Sequence, residues 1–290
     1  MPNGIASGIL GVPGIQGSRL NRREIMFCWI IFSVLLIGVI LFLGITADRE
    51  KIGINLTESK LPPSPAHLFG TDWLGRDMFT RTAAGLVLSI RIGFIASAVS
   101  ICIAAVFGTC SALLGPAVDS VITWLADLFF GIPHLVLLIL ISIAMGGGAR
   151  GVAIGVAVTH WPNVTRIIRA EVMQLRNTEY IQIARRMGKS WGFIALKHIF
   201  PHIFPQLMIG LILLFPHAIL HEASITFLGY GLNPETPAVG IILADSMKYL
   251  SSGMWWLAVL PGLTLIVTVR LFGILGDSLR QLVNPETTQL

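Results

Sequence analysis

A chain of 290 residues with 54% hydrophobic residues, only 12% charged residues and a mean hydropathy of +0.79 is not a water-soluble globular protein, in which about a quarter of the residues are charged. The formal net charge of +5 is small and gathers near the ends of apolar runs, which excludes nucleic acid as a partner and points to membrane topology and lipid headgroups. Cys28, Cys102 and Cys110 lie in apolar runs with no metal-type spacing and read as buried small hydrophobes.

In chain order, residues 1–25 begin with a Gly- and Pro-rich stretch and read as a cytoplasmic tail. Phe27–Thr46 carries no charge and follows Arg19, Arg22 and Arg23, so it enters the bilayer from the cytoplasm. It exceeds the apolar region of about 7–15 residues in a signal peptide and matches the roughly 20 residues of a span. Asp48–Arg81 balances five acids against five bases and is broken by Pro62, Pro63 and Pro65, which suits an extracytoplasmic segment. Ile92–Val118 is the second expected span, with a turn at Gly115-Pro116. Val121–Met145 is the third, starting near Asp127 and kinked at Pro133. Gly146–Gly148 forms an outer turn, and Gly151–Arg169 is the fourth span, with Arg166 and Arg169 snorkelling at the inner face. Ile203–Leu220 is the fifth. Gly229–Ser252 is an outer connection broken by Pro234 and Pro237, and Leu250–Val269 is the sixth span, with Arg270 and Arg280 beyond it.

The expected fold is all-α: a polytopic membrane protein of six transmembrane helices with both termini cytoplasmic. Lipid allows only helices or closed barrels, and these segments exceed barrel strands of about 9–11 residues. By regions, 1–25 is a tail, 26–82 the first helix and extracytoplasmic segment, 83–280 a core transmembrane domain with a cytoplasmic loop at 173–202, and 281–290 a second tail. Gly93, Ser97, Ser100 and Ala104 read as close helix packing.

The most informative stretch is the polar island Arg166–His202, with seven Lys or Arg residues against Glu171 and Glu179. Tyr180, Ile183, Ala184 and Met187 recur at i, i+3, i+4, i+7 and make an apolar stripe on a short helix. Asn177 or Thr178 can cap it, Glu179 suits its first turn, and Gly188 can end it. Ser190 can then cap a second short helix carrying Trp191, Phe193, Ile194 and Leu196, before Pro201. Helices this short are marginal alone in water, so the stripe needs a surface to cover it.

The segment EYIQIARRMGKSWGFIALKHIFPH resembles the cytoplasmic loop of ABC importer permeases, the EAA loop. Gln182, Ile183 and Ala184 occupy the Glu-Ala-Ala positions, Gly188 the glycine and Pro201 the closing proline; Ala184 alone keeps the triplet identity, and Phe200 replaces a leucine. HLFGTDWLGRDMFTR at 67–81 resembles the HxxGTDxxGRDxxSR block of the dipeptide/oligopeptide/nickel permease family, with Thr80 for serine. EASITFLGYG at 222–231, WWLAVLPG at 255–262 and GDSLR at 276–280 followed by Asn284-Pro285 resemble its later blocks.

The resemblance implies the second, C-type permease subunit of a type I ABC importer in the cytoplasmic (inner) membrane of a prokaryote. Its partners would be a homologous sister permease, two ATP-binding subunits and an extracytoplasmic solute-binding protein. ATP and Mg would sit on the partner subunits, with no cofactor on this chain. The family's coupling helix falls on Glu179, Tyr180, Ile183, Ala184, Arg185, Met187 and Gly188. The residues agree that this is no enzyme: GxxxxGK[ST], HExxH and GxSxG are all absent from the sequence.

Candidate pathway residues are His217 and His221, one helical turn apart, with Glu222 beside them and His160 in the fourth span. Imidazole suits nickel, copper or zinc. HAILHEASITFLG and His160-Trp161 resemble nickel and metallophore permeases, so the first solute reading is nickel or a metal chelate. Di- or oligopeptide import by the same mechanism is the alternative. A secondary transporter is the remote one, since no inverted repeat is evident. Asp127, Glu222 and Arg91 are expected as buried ionisable groups facing a pathway or a sister subunit.

Overall fold

A computed structural model describes residues 22–283; Arg19, Asn284-Pro285 and most of the two expected tails lie outside the described residues. The first helix, α1 (Arg22–Ile45), is about 36 Å long at 1.5 Å per residue and can cross a bilayer core of about 30 Å. Large apolar side chains such as Trp29, Phe32, Leu35 and Phe42 are exposed around it. Its packing contacts are with α3 (Met78–Leu113) and the final long helix, after a one-turn helix α2 (Arg49–Ile52). At the crossing with α3, a Cβ on Gly44 would fall 2.3 Å from the carbonyl oxygen of Ala83.

Helix α3 starts fourteen residues before the expected second span. Asp77 is its N-cap and accepts the Thr80 N–H at 2.8 Å, so a polar first turn precedes the apolar length. Gly93, Ser97, Ser100 and Ala104 are buried, and a Cβ on Gly108 would meet Ile168 at 2.8 Å, as close helix packing demands.

The expected third span is instead two helices, α4 (Pro116–Phe130) and α5 (His134–Ala144), bent by 99°. Pro133 removes a backbone donor and disfavours helix at Ile132, so the chain turns at Gly131–Pro133 rather than kinking. At 15 and 11 residues, about 22 and 16 Å, neither alone crosses the bilayer. The next helix, α6 (Gly148–Arg176), lies against α3 and α5.

Then come α7 (Glu179–Arg186) and α8 (Trp191–Ile194). The latter is not a separate knuckle helix: through one π-type turn at Ala195–Ile199 it continues into α9 (Phe200–Phe227) as a 37-residue rod. Pro201 does not stop it: the π-type turn at Ala195–Ile199 lies directly before the proline, where the ladder of backbone bonds is already irregular. The connection at 229–252 contains a helix, α10 (Val239–Met247), and α11 (Trp256–Val283) runs fourteen residues past the expected end of the sixth span. Among the described residues, four helical stretches are long and apolar enough to span (α1, α3, Trp191–Phe227, α11), and the α4–α5 pair qualifies as a broken fifth. Helix α6 has the length, but five charges dilute it.

The bundle has two distinct ends. At one, Arg176 donates to the carbonyl of Ala112 at 2.9 Å and Arg169 grips Asp119 with two bonds of 2.5 Å. At the other, Gly148 N–H donates to Gly231 O at 3.1 Å, and residues 53–77 form an ordered cap. Within it Asp72, fully buried, accepts from the N–H groups of Leu74 and Arg76, from Arg76 Nε at 2.6 Å and from Arg81 Nη1 at 3.2 Å. His67 sits 2.9 Å from Asp77, and Trp73 stacks on Tyr249 at 4.9 Å. Of the charges balanced in the sequence, Asp72 thus pairs with both Arg76 and Arg81. Cys28 and Cys102, expected to be buried, are exposed on the apolar outer surface, and Cys110 is half-buried.

Candidate functional site

Two features stand out, at different depths. The first is α7. Its anchor is Ile181, wholly buried in a cluster with Leu175, Ile194 and Ile199, against which Ala184 packs half-buried. Tyr180, Ile183 and Met187 are 45%, 55% and 74% exposed. The expected stripe therefore divides: Ala184 leans toward the protein, and the other three face outward. Ile181 was missed as the anchor, although its i, i+3 spacing to Ala184 was the available signal.

The ends of α7 are fixed locally. Thr178 occupies the N-cap position, but its hydroxyl donates back to Leu175 O at 2.6 Å and caps nothing. Gly188 has φ +82°, the left-handed turn that ends the helix. Ser190 Oγ accepts the Phe193 N–H at 3.3 Å, as expected. The Arg185 guanidinium lies 4.5 Å from the Trp191 ring and donates to Lys189 O at 2.7 Å, tying α7 to the start of the rod. Glu179 lies in the exposed first turn.

The second feature is a cleft of about 680 Å³ between the α4–α5 bend, α6 and α9, which Arg280 of α11 also lines. Three imidazoles gather on its wall. The ring centres of His134 and His160 are 4.7 Å apart, those of His134 and His221 4.6 Å, and those of His160 and His221 5.0 Å. The bend that splits the third span is what brings His134, at the start of α5, to the other two. His217 lines the same cleft one turn along α9 and is exposed; Asn163 and Gln206 add amides.

Sequence reading singled out His160, His217 and His221, but not His134. A lone histidine after a proline carries no spacing signal; only the 99° turn explains its role. Glu222 is absent from the cleft lining: it is fully buried, and its carboxylate accepts from Thr226 Oγ1 at 3.0 Å. Of the other ionisable candidates, Asp127 is exposed and paired with Arg166 at 2.5 Å, and Arg91 is exposed. Glu222 alone of these three is buried.

Residues 100–289 match the family described as the binding-protein-dependent transport system inner membrane component. The chain belongs to this family. This permease is 31% identical to the dipeptide transport system permease protein DppC of Bacillus subtilis (strain 168), over 92% of this chain and 84% of that protein. It is 30% identical to the oligopeptide transport system permease protein OppC of the same strain, over 92% and 88%. The probable D,D-dipeptide transport system permease protein DdpC of Escherichia coli (strain K12) is 30% identical, over 88% and 86%.

Among solved structures, an inward-facing conformation of the MetNI methionine ABC transporter superposes with a TM-score of 0.58 at 17% identity, covering 70% of this chain and 96% of that one. The permease therefore has the type I importer fold, and it is a membrane-embedded transport component.

Proposed function

We propose that this permease and a homologous sister permease together line the membrane path of an ATP-driven importer. A solute-binding protein delivers the solute from outside, and two separate ATP-binding subunits on the cytoplasmic side carry ATP and Mg. The observation that carries this reading is the ridge of Tyr180, Ile183 and Met187, held outward by the buried Ile181. An apolar ridge on a charged helix, fixed by its own anchor, is suited to insertion into a groove on another subunit. The chain then lies with α7 and both termini in the cytoplasm and the 53–77 cap outside.

For the solute, short peptides replace nickel as the first reading, because the relatives carry dipeptide and oligopeptide names. A cleft of about 680 Å³ has room for a molecule of that size.

The test is to extract the tagged permease from its native membrane in mild detergent. An ATPase and a second permease are expected to co-purify. After reconstitution, binding protein loaded with dipeptide should raise ATP hydrolysis. Dipeptide uptake by the permease alone, driven by an ion gradient without ATP, would replace this reading with a secondary transporter.

A further inference from the structure

Arg91 has no place in the cleft or on α7. It stands on α3 within the apolar length of the helix, is exposed, and has no hydrogen bond, ion pair or ring contact among the described residues. Other arginines of the bundle differ: Arg81 is held by Asp72, Arg169 by Asp119 and Arg166 by Asp127. An ionisable side chain on a spanning helix is costly and calls for a counter-group.

Arg91 borders a groove of about 450 Å³ enclosed by α1, α3, α9 and α11, and its ten other lining residues are all apolar. Ile37 and Leu41 line it from α1, and Val87 and Phe94 from α3. Phe215 and Phe272, packed edge to face with ring centres 4.4 Å apart, line it from α9 and α11. Such a lining takes hydrocarbon, and its one charged element is an exposed cation.

The groove is not part of the cleft. Leu211, Ile212 and Phe215 line the groove, whereas Gly210, Leu213 and His217 line the cleft. At roughly 100° per residue the two sets lie on opposite sides of α9. A sister permease that closes the cleft therefore lies across α9 from the groove, which leaves the groove to the bilayer.

Depth selects the part of a lipid that Arg91 can reach. Gly44, near the outer end of α1, crosses α3 at Ala83. Arg91 lies eight residues further in, about 12 Å at 1.5 Å per residue. Side chains on a helix lean toward its N-terminus, which for α3 is the outer end, so the guanidinium snorkels back toward the outer headgroups. A phosphate presents the paired oxygens that a guanidinium binds best.

We propose that Arg91 and this groove bind one anionic phospholipid of the outer leaflet. An acyl chain lies in the groove between α1 and the wall made by α9 and α11, and the headgroup phosphate pairs with the guanidinium. The lipid fills the seam that joins α1 to the bundle. The inference is independent of the solute and takes from the permease reading only the outward placement of the 53–77 cap and the closing of the cleft by a sister subunit.

The experiment uses the intact permease complex in nanodiscs of equal parts phosphatidylcholine and phosphatidylglycerol. After release into mild detergent, native mass spectrometry counts the lipid retained. One phosphatidylglycerol per permease is expected, in preference to phosphatidylcholine. Arg91→Gln should weaken its retention about fivefold or more, the factor for one cation meeting an anionic headgroup, whereas Arg91→Lys keeps most of it. On the unmodified complex, phosphatidylglycerol with a diazirine on its acyl chain should label α1 near Ile37 and α11 near Phe272, a readout independent of how the variants fold. Equal retention of the two lipids overturns the anionic assignment. Equal retention by the Arg91→Gln variant and its parent, or label spread evenly over the outer surface, overturns the site. Release of the sister permease by Arg91→Gln with lipid unchanged gives the guanidinium to a protein carboxylate and also overturns the site. The expected retention and labelling in a permease that brings down no ATPase uphold the site and overturn the importer reading instead.

Discussion

Asp72 shows what a single side chain does for the cap at residues 53–77. Its carboxylate holds Arg76, Arg81 and two backbone N–H groups while fully buried. Asp72→Ala leaves the buried Arg81 with only the more distant Asp245 carboxylate, 4.0 Å away, and a broken buried ion pair costs about 3–5 kcal/mol. The expected outcome is a lowered thermal unfolding midpoint and a cap that proteases cut. A midpoint equal to that of the parent would show that the cap contributes nothing to the bundle. The motif at 67–81 was legible as a pattern, but its cause was not. Gly75, for instance, adopts φ +73° with the Asn55 carbonyl 1.7 Å from where a Cβ would stand, and Asn55 lies twenty residues away in sequence. In the same way, spacing on one helix exposed His217 and His221, whereas His134 and His160 reach them only through tertiary packing.

Among the elements, α7 was the most legible and the α4–α5 pair the least. The 3.6-residue rhythm of α7 is local, so Tyr180, Ile183 and Met187 could be read directly; that Ile181 anchors it depends on the buried cluster beneath. For the third span, apolar composition cannot distinguish a kinked crossing from a right-angle turn, because both are equally greasy. Span ends were missed by up to fourteen residues at α3 and α11 for a related reason: polar turns continue a helix when caps and neighbours satisfy them. Ile183→Asp combined with Met187→Asp changes exposed positions alone. The variant should insert and fold normally yet lose solute-stimulated ATP hydrolysis in the reconstituted complex. Ile181→Asp places a charge in the buried cluster and should instead reduce the yield of folded protein. Undiminished stimulation in the exposed double variant would remove α7 from the docking site.

For the whole molecule, the open cleft is the side on which the proposed sister permease would close the path. Partner binding to the native state alone raises apparent stability by mass action. The unfolding midpoint of the permease in detergent should therefore climb with added sister permease; a midpoint indifferent to it would contradict a shared path. The overall class, helical and membrane-embedded, was legible because hydropathy and length are additive along the chain. How the helices meet was not, because that depends on pairs such as Gly108 with Ile168 and Gly44 with Ala83 that only the folded bundle creates.

The unbroken run from Trp191 to Phe227 has a mechanical consequence. At 1.5 Å per residue its 37 residues make a lever about 55 Å long, with α7 hinged at one end by Gly188 and His217 and His221 mounted along its shaft. A tug on the short handle would be felt at the imidazoles through solid helix rather than through slack loop, softened only where the π-type turn and Pro205 and Pro216 loosen the ladder of backbone bonds. Nucleotide-driven motion outside the bilayer and release of cargo inside it would then be two ends of the same stroke.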